Sequence, residues 1–437
     1  MRALKIFLYE WKHFFRSPFK IAALLLFIVA SLYGMQNGAT LYKKQHSEIE
    51  NLSKKIAAEK ETVLAYFEKG ETGPENKPWI DVTKPYWALS NVPTYSFKEP
   101  SGAIIYNIGQ AEQYGFYKKI GFSSSPYDAD MAKEISNPER IQSGTLDFSF
   151  VLLFMLPLLL LVLLYNINGL EAEQGFLPLI LVQTGSKNWW IVARISFYGA
   201  LLLLVLFLLT LFGPLLIDTY KLDNAFWNIF LFVFSYLMFW LVLYYTIIKY
   251  GKNTISNTLQ MIGVWLLFSF IIPAGVQQWV SIEKPTNLMI DIIDTKRDKT
   301  AEIYNQTEAL SNQQLFELYQ SLKKLDVKKN SVQSKRDHRN TLRALVNKAM
   351  KNATKTIEQD NVQKNNLITK TYWFNPITFF QNKLNKLSKT HYNDYQEYRN
   401  KIQDLIDLRL QTMVLDIWNK VDVDQEKYIE YTKKLNK

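Results

Sequence analysis

The sequence has 437 residues, a formal net charge of +11 and no cysteine. Without cysteine the chain cannot form a disulfide bond, a thiol nucleophile or a cysteine-based zinc or iron–sulfur site, and its four histidines lie in different segments, so we expect no metal site. With 21 % charged residues and a mean hydropathy of −0.10, the chain is too polar to be membrane-embedded throughout.

Residues 1–18 predict an amphipathic helix. Phe7, Trp11 and Phe14 recur at helical spacing, and basic side chains such as Arg16 lie outside this apolar stripe. A helix of this kind lies in the membrane interface and contacts lipid. The excess of positive charge beside the first apolar segment predicts that the helix is cytoplasmic.

A first membrane span is predicted for residues 19–36. The apolar segment is short, and we expect Lys20 to extend it by snorkelling, with its ammonium group at the membrane surface. A cleaved signal peptide is the alternative interpretation. Its basic region would be unusually long, and no Ala-x-Ala site follows, so we favour an uncleaved anchor.

The polar block 37–147 comes next and is expected to form a first extracytoplasmic domain. Its apolar residues recur at helical spacing as far as Gly70, and glycine, proline and serine are frequent beyond that point. This composition predicts a helix followed by irregular structure with short elements. Asp130 follows a Ser-Pro turn and is expected to lie at a solvated helix start.

Four long segments without any charged residue then follow within 135 residues. They are Phe148–Tyr165, Ile195–Ile217, Ala225–Ile248 and Thr254–Ile282. A bilayer core about 30 Å thick is crossed by roughly 20 apolar helical residues, and four such segments could not share one soluble core. We therefore predict an α-helical integral membrane protein with about five transmembrane helices. The four spans after the first are predicted at 148–166, 191–217, 225–249 and 256–276.

The second polar block, 283–437, shows apolar stripes at helical spacing and predicts a mainly helical domain. Its residues 320–370 hold 13 lysines and arginines against four acids. This basic stretch contains no aromatic residue on which a base could stack, so no nucleic-acid partner is expected. A solvated helical face is favoured, and contact with anionic lipid or glycan headgroups is the alternative.

The predicted topology places the N-terminus and the loop 167–190 in the cytoplasm. With five spans, the blocks 37–147 and 283–437 are then both extracytoplasmic. The cytoplasmic loops are too small for an enzyme domain. The sequence also lacks the serine-hydrolase, zinc-protease and phosphate-binding-loop motifs, so no catalytic residue is predicted and the chain is not expected to hydrolyse ATP.

The loop 167–190 carries the most informative motif, in which acidic and glycine residues precede a basic residue of the next span. The residues of this pattern are Glu171, Glu173, Gly175, Gln183, Gly185 and Arg194. An ordinary interfacial connection is one interpretation. The pattern also resembles the coupling segment of ABC-2 type transporter permeases. Phe176 stands where that family usually has Thr, and Thr184 where it usually has Pro.

Three further motifs resemble one subfamily of these permeases, in which large extracytoplasmic inserts follow spans one and five. Gly109-Gln110 lies near an acidic and an aromatic residue, Pro273 marks the exit from span five, and Asn375-Pro376 precedes an aromatic, charged helix. The order of the motifs carries this resemblance. The sixth span that is usual in the family has no counterpart in residues 283–437.

The resemblance implies a permease subunit of an ATP-binding cassette transporter in the bacterial inner membrane, which exports or mobilises a substrate at the extracytoplasmic side. A separate ATPase subunit would bind ATP and Mg and dock on the loop 167–190, and this chain would hold no cofactor. A second permease subunit, identical or similar, would complete the pathway, and the outer blocks would contact the substrate or an extracytoplasmic protein. The alternative is a membrane-anchored receptor or assembly protein whose outer domains bind a partner.

Overall fold

A computed structural model describes residues 2–136, 145–217, 224–251, 253–285, 288–324 and 335–436. This part of the chain is mostly helical. Five of its helices are long and apolar enough to cross a membrane, which confirms the prediction of an α-helical membrane protein. Spans 1 to 5 are Pro18–Lys69, Phe148–Glu173, Lys187–Leu216, Asn224–Tyr250 and Thr254–Glu283.

Span 1 is much longer than its apolar segment. It forms one continuous helix of 52 residues, Pro18–Lys69, which ends at Gly70 with φ 69°. At 1.5 Å per residue this helix is about 78 Å long, more than twice the thickness of a bilayer core. The helix therefore continues through residue 36, where the first polar block was expected to begin, and enters that block as a stalk.

The N-terminal helix, Arg2–Phe15, and the loop between spans 2 and 3 lie at one end of the bundle of spans, which we call the loop end. The regular helix of span 2 ends at Leu164, and Gly169–Glu173 forms a short helix after a turn. A second short helix, Leu177–Thr184, follows and is called the loop helix. Span 3 begins at Lys187, so its first turn belongs to the predicted loop 167–190.

Prolines interrupt the hydrogen bonding of the spans, and neighbouring helices replace the missing donors. Pro157 has no N–H to offer the carbonyl of Leu153, four residues earlier, and the Tyr236 hydroxyl of span 4 donates to that carbonyl at 2.6 Å. The segment before Pro157, Val151–Met155, is a π-helical turn. Span 5 also has a π-helical turn before its proline, at Leu267–Ile271. These contacts fix spans 2 and 4 against each other.

The polar segments assemble at the opposite end of the bundle, which we call the domain end. The first block contributes a short helix (Pro85–Ser90), two antiparallel strands and a helix at Asp128–Ser136. The strands are β1 (Tyr95–Phe97) and β2 (Tyr117–Lys119), with Ser96 opposite Lys118. The second block contributes the helices Leu288–Tyr304, Glu308–Leu318, Lys335–Lys370, Pro376–Leu387, Tyr392–Trp418 and Gln425–Leu435.

The two polar blocks form one domain, because they share a single hydrophobic core. Leu89 and Phe122 of the first block pack in the same buried cluster as Ile402 and Trp418 of the second. Arg409 ties the blocks together further, since its buried guanidinium donates to the carbonyls of Ile120 (2.9 Å), Val92 (3.2 Å) and Leu89. Burial lowers the pKa of Arg409 to about 10.

Asp130 lies in the first turn of the helix Asp128–Ser136, as expected, but its side chain is largely buried, so the expectation that it is solvated is wrong. Its carboxylate forms an ion pair with Arg399 at 3.2 Å, and the Arg399 side chain is 3 % exposed. The guanidinium also lies over the rings of Tyr114, Tyr127 and Tyr392, at 5.2 to 5.3 Å from their centroids. Tyr114 of the first block and the helix beginning at Tyr392 are thus joined through this cluster.

The helix Pro376–Leu387 packs against the spans and is called the inserted helix. The ring centroid of Phe380 lies 5.1 Å from that of Phe232 and 4.7 Å from that of Tyr236, both in span 4. Phe380 and Leu384 are buried in the core of the bundle of spans. The second polar block therefore contacts the membrane-spanning helices directly.

Candidate functional site

Glu171 and Glu173, the two glutamates of the predicted motif, bind two different spans. The Glu173 carboxylate accepts a hydrogen bond from the backbone N–H of Thr254 at 2.7 Å, at the first turn of span 5. A carboxylate in this position stabilises the N-terminus of a helix. The Glu171 carboxylate forms an ion pair with Arg194 of span 3. The short helix that carries both residues is therefore attached to spans 3 and 5 at once.

Arg194 also binds the N-terminal helix. Its Nε lies 2.5 Å from the Oε1 of Glu10, whose side chain has no exposed surface. The two carboxylates approach the guanidinium from different sides, because Glu171 contacts Nη1 and Glu10 contacts Nε. One arginine thus joins the N-terminal helix, span 3 and the loop.

The network extends to span 1 through Tyr198 and Lys20. The Tyr198 hydroxyl donates to Glu10 at 3.0 Å and accepts from the Lys20 ammonium at 3.0 Å. Lys20 also donates to the Leu163 carbonyl of span 2 at 2.8 Å. Its side chain is 2 % exposed, so the expectation that Lys20 snorkels to the membrane surface is wrong. We refer to Glu10, Lys20, Glu171, Arg194 and Tyr198 as the buried charge cluster.

Two cations and two carboxylates balance each other within the buried charge cluster. A buried charge is tolerated when it is paired and its remaining donors or acceptors are satisfied. Removal of one partner leaves an uncompensated charge and costs about 3–5 kcal/mol in soluble proteins. The N-terminal helix, spans 1 to 3 and the loop are therefore held in one fixed arrangement at the loop end.

The loop helix presents an apolar face that nothing in the described part of the chain covers. Phe176, Leu179 and Val182 are 54 %, 59 % and 84 % exposed, whereas Leu177 and Ile180 pack against the bundle. The exposed positions are three residues apart, so they share one face of the helix. The loop helix thus has two apolar sides, one against the spans and one facing outward.

A glycine lies near each end of the loop helix, and Gln183 lies on its surface. Gly175 and Gly185 adopt φ values of 73° and 79°, a left-handed conformation that favours glycine, and the Gly185 N–H donates to the Leu181 carbonyl. Gln183 is exposed. The predicted motif residues therefore divide into two positioning glycines, one surface amide and the charged groups that hold the loop.

The predicted interfacial residues of the N-terminal helix divide in the same way. Phe14 is buried, and the Phe7 ring meets the Phe197 ring of span 3 at 5.6 Å. Trp11 is 51 % exposed, and Arg16 is exposed. The helix therefore packs one edge on span 3 and leaves an aromatic and basic edge outward.

The sequence pattern identified Glu171 and Arg194, but it did not identify Glu10, Lys20 or Tyr198 as their partners. A signal for the first two was present. Glu10 is the one acid among five basic residues in positions 1–20, and Lys20 stands at the start of an apolar segment. Each is a charge in an unfavourable local setting, which indicates a partner elsewhere.

Comparisons with known proteins do not assign this arrangement to a family. No protein-family model, no curated protein and no solved structure matches the chain. Within the described residues, no group of three or more histidine, aspartate or glutamate side chains could hold a metal ion. Function must therefore be inferred from the geometry of the loop end and of the domain end.

Proposed function

We propose that this chain is the permease subunit of an ATP-driven transporter of the ABC-2 type. The observation that carries the proposal is the loop between spans 2 and 3, which combines an exposed apolar helix face with carboxylates bound to spans 3 and 5. A partner that moves this loop moves both spans. Such a connection is required of a subunit that receives mechanical work from a separate ATPase.

The face formed by Phe176, Leu179 and Val182 is the proposed docking surface for the ATPase. Exposed apolar side chains in a row are typical of helices that fit into a groove of another protein. The ion pair between Glu171 and Arg194 attaches the segment before this face to the buried charge cluster, and in this proposal the loop acts as a lever. In this proposal the loop end is cytoplasmic, in agreement with the basic residues at positions 1–20.

The polar domain then stands on the extracytoplasmic side. Span 1 extends into it as a continuous helix, and the inserted helix contacts span 4, so movement of the spans reaches the domain through two connections. We propose that the domain handles the transported substrate or a protein that accepts it. A second permease subunit, identical or similar, completes the pathway.

Affinity purification of the tagged full-length chain from its native membranes tests the proposal. We expect a protein with a phosphate-binding loop to co-purify and to hydrolyse ATP. Ala substitution of Leu179 and Val182 together should reduce its recovery at least fivefold. Leu204→Ala in span 3 is the matched control, because Leu204 is 57 % exposed and lies on the outer surface of a span. It should leave recovery unchanged.

The alternative, a membrane-anchored receptor or assembly protein, predicts a different result. A protein bound to the polar domain would co-purify with the wild-type chain, and no ATPase would co-purify. The substitutions in the loop helix would then have no effect on the recovered protein. That result would overturn the transporter proposal.

A further inference from the structure

A cavity of about 200 Å³ lies inside the polar domain, where the two polar blocks meet. Residues 122–126 of the first block form one wall, and the helices Leu288–Tyr304, Lys335–Lys370 and Tyr392–Trp418 of the second block form the others. An apolar cavity of about 150 Å³ is large enough to hold benzene. The space inside the polar domain therefore accommodates an apolar group of the size of an aromatic ring.

The inner wall of this cavity is largely apolar. Phe122, Pro126 and Met350 are buried, and Val346 and Tyr304 complete the wall. Met350 and Val346 also pack in a small hydrophobic cluster that is separate from the main core of the polar domain. The cavity thus lies between two hydrophobic clusters of the same domain.

The polar side chains of the inner wall already have partners. Asn347 accepts a hydrogen bond from Gln403 at 3.0 Å and donates one to Asp407 at 2.6 Å. The Thr354 hydroxyl donates to the carbonyl of Lys351 at 3.1 Å. A polar ligand group placed here would lose water without gaining an open partner, so the interior favours an apolar group.

Two cations lie at the mouth of the cavity and contact the same residue, Ser123. The Lys296 ammonium donates to the Ser123 carbonyl at 3.0 Å, and the Arg343 guanidinium donates to the Ser123 hydroxyl at 3.4 Å. Both basic side chains are partly exposed, and neither has a carboxylate partner among the described residues. Because like charges repel, an anion between them is stabilised. The Ser123 hydroxyl accepts from Arg343, so its own proton is free for that anion.

The guanidinium of Arg343 is held beside the apolar wall by a stack of rings. It lies 5.5 Å from the ring centroid of Tyr86, and the Tyr86 ring stacks on that of Phe122 at 5.2 Å. Phe122 itself lines the cavity. The cation and the apolar wall are therefore fixed relative to each other, and a ligand that uses both costs little in ordering the site.

The neighbouring acids do not cancel the charge at the mouth. Two acids accept hydrogen bonds from the cavity wall, and each is paired with a lysine outside it. Asp407 forms an ion pair with Lys351 at 2.7 Å. Asp128, which accepts from the Ser125 N–H, forms one with Lys118 at 2.9 Å. No aspartate or glutamate is among the described residues that line the cavity, so the two cations at its mouth remain unbalanced.

We propose that this cavity binds a small carboxylate that carries an aromatic or branched apolar body. The apolar body lies against Phe122 and Met350. The carboxylate lies at the mouth and accepts hydrogen bonds from Lys296, Arg343 and the Ser123 hydroxyl. Binding depends only on the cavity, and it does not require the proposed transport function.

Ligand binding to the full-length protein in nanodiscs of neutral lipid tests the proposal. The probe is 3-(4-fluorophenyl)propionate, and broadening of its fluorine NMR signal reports binding. We expect 3-phenylpropionate to reverse this broadening. It should compete at least tenfold better than 3-phenylpropionamide, which has the same apolar body and no charge. The cation 3-phenylpropylammonium should not compete.

Three variants change the mouth and the interior separately. Lys296→Gln and Arg343→Gln each remove one cation, and each should weaken probe binding at least fivefold. Val346→Phe places a ring inside the cavity and should abolish binding. Lys355→Gln is the matched control, since Lys355 is an exposed cation on the same helix as Arg343 and does not line the cavity. It should bind the probe as the wild type does.

Equal competition by 3-phenylpropionate and 3-phenylpropylammonium would overturn the proposal, as would the lack of any saturable probe binding. Wild-type affinity in a variant that combines Lys296→Gln with Arg343→Gln would overturn it as well. These two side chains are partly exposed and form no ion pair among the described residues, so the charge variants decide the test even if Val346→Phe fails to fold. ATPase recovery is scored separately, and its loss rejects the transport function without affecting the carboxylate site.

Discussion

Arg194 of span 3 and Glu10 of the N-terminal helix form a buried ion pair, with Nε and Oε1 2.5 Å apart. The pair connects the N-terminal helix to span 3, and spans 1 and 2 lie between these two helices in the sequence. It shows that the N-terminal helix does not merely rest in the membrane interface. The helix is attached to span 3 at the point where the loop from span 2 arrives, and Glu171 of that loop shares the same arginine.

Substitution of Glu10 or Arg194 alone should destabilise the protein strongly. Glu10→Met or Arg194→Met leaves an unpaired charge in the buried charge cluster, at a cost of about 3–5 kcal/mol. The double substitution removes one charge of each sign, so it should cost clearly less than the sum of the two single changes. Thermal unfolding of detergent-solubilised protein, followed by tryptophan fluorescence, measures all three variants.

Arg16→Met is the control for these variants, because Arg16 is a nearby exposed basic residue outside the buried charge cluster. It should unfold at nearly the wild-type temperature. Additive losses in Glu10→Met and Arg194→Met would show that the two side chains do not interact, and the proposed lever at the loop end would lose its physical basis.

Glu171 and Glu173 should respond unequally to substitution by glutamine. Glu171→Gln breaks the ion pair with Arg194 and disturbs the buried charge cluster, so it should lower the unfolding temperature markedly. Glu173→Gln weakens an exposed helix-terminal contact with Thr254 that is worth about 0.3–1 kcal/mol. Both variants should be measured for thermal stability and ATPase recovery. Equal stability losses would contradict the different partners seen in the structure.

Arg409 should be essential for the packing of the two polar blocks into one domain. Arg409→Leu removes this donor from the buried carbonyls of Leu89, Val92 and Ile120, and a buried polar group left unsatisfied costs about 1–3 kcal/mol. We expect limited proteolysis to cut the polar domain of this variant much faster than that of the wild type. Lys401→Leu, an exposed change on the same helix, should have no such effect. Equal cleavage rates for Arg409→Leu and the wild type would contradict this role.

The positions of the spans could be predicted from the sequence, because each span contains an uninterrupted apolar segment long enough to cross a bilayer. Span 4 was expected at 225–249 and comprises Asn224–Tyr250. The loop motif also identified two residues of the candidate site, Glu171 and Arg194, which form an ion pair in the structure. Both inferences depend on local composition and spacing, which a single sequence contains.

The long-range contacts could not be predicted in this way. The apolar pattern of the inserted helix, with Phe380 and Leu384 at helical spacing, is the same whether the helix packs on a soluble core or on spans. The pairing of Glu10 with Arg194 requires the packing of two distant helices. The continuation of span 1 into a stalk was hidden by the change from apolar to polar residues, which marks the membrane boundary but not the end of the helix.

The proposed second permease subunit should contact span 5, because most of the apolar surface of this span is uncovered within the described part of the chain. The chain has no cysteine, so single-cysteine variants report cleanly. Cysteines at Leu259, Gly263 or Leu267, all exposed, should cross-link to a dimeric mass with a short bis-maleimide in native membranes. Exposed positions Leu204 and Leu208 of span 3 are the controls and should remain monomeric. If cysteines in span 3 cross-link as efficiently as those in span 5, span 5 is not the specific contact between subunits.

A photoreactive amino acid at Val182 tests most directly whether an ATPase docks on the loop helix. Val182 is 84 % exposed, and Val242 of span 4, 58 % exposed, serves as the control position. After illumination of native membranes, we predict that the Val182 variant is covalently joined to a subunit with a phosphate-binding loop and that the Val242 variant is not. Cross-linking of Val182 to lipid alone, with the protein folded and inserted, would contradict the account.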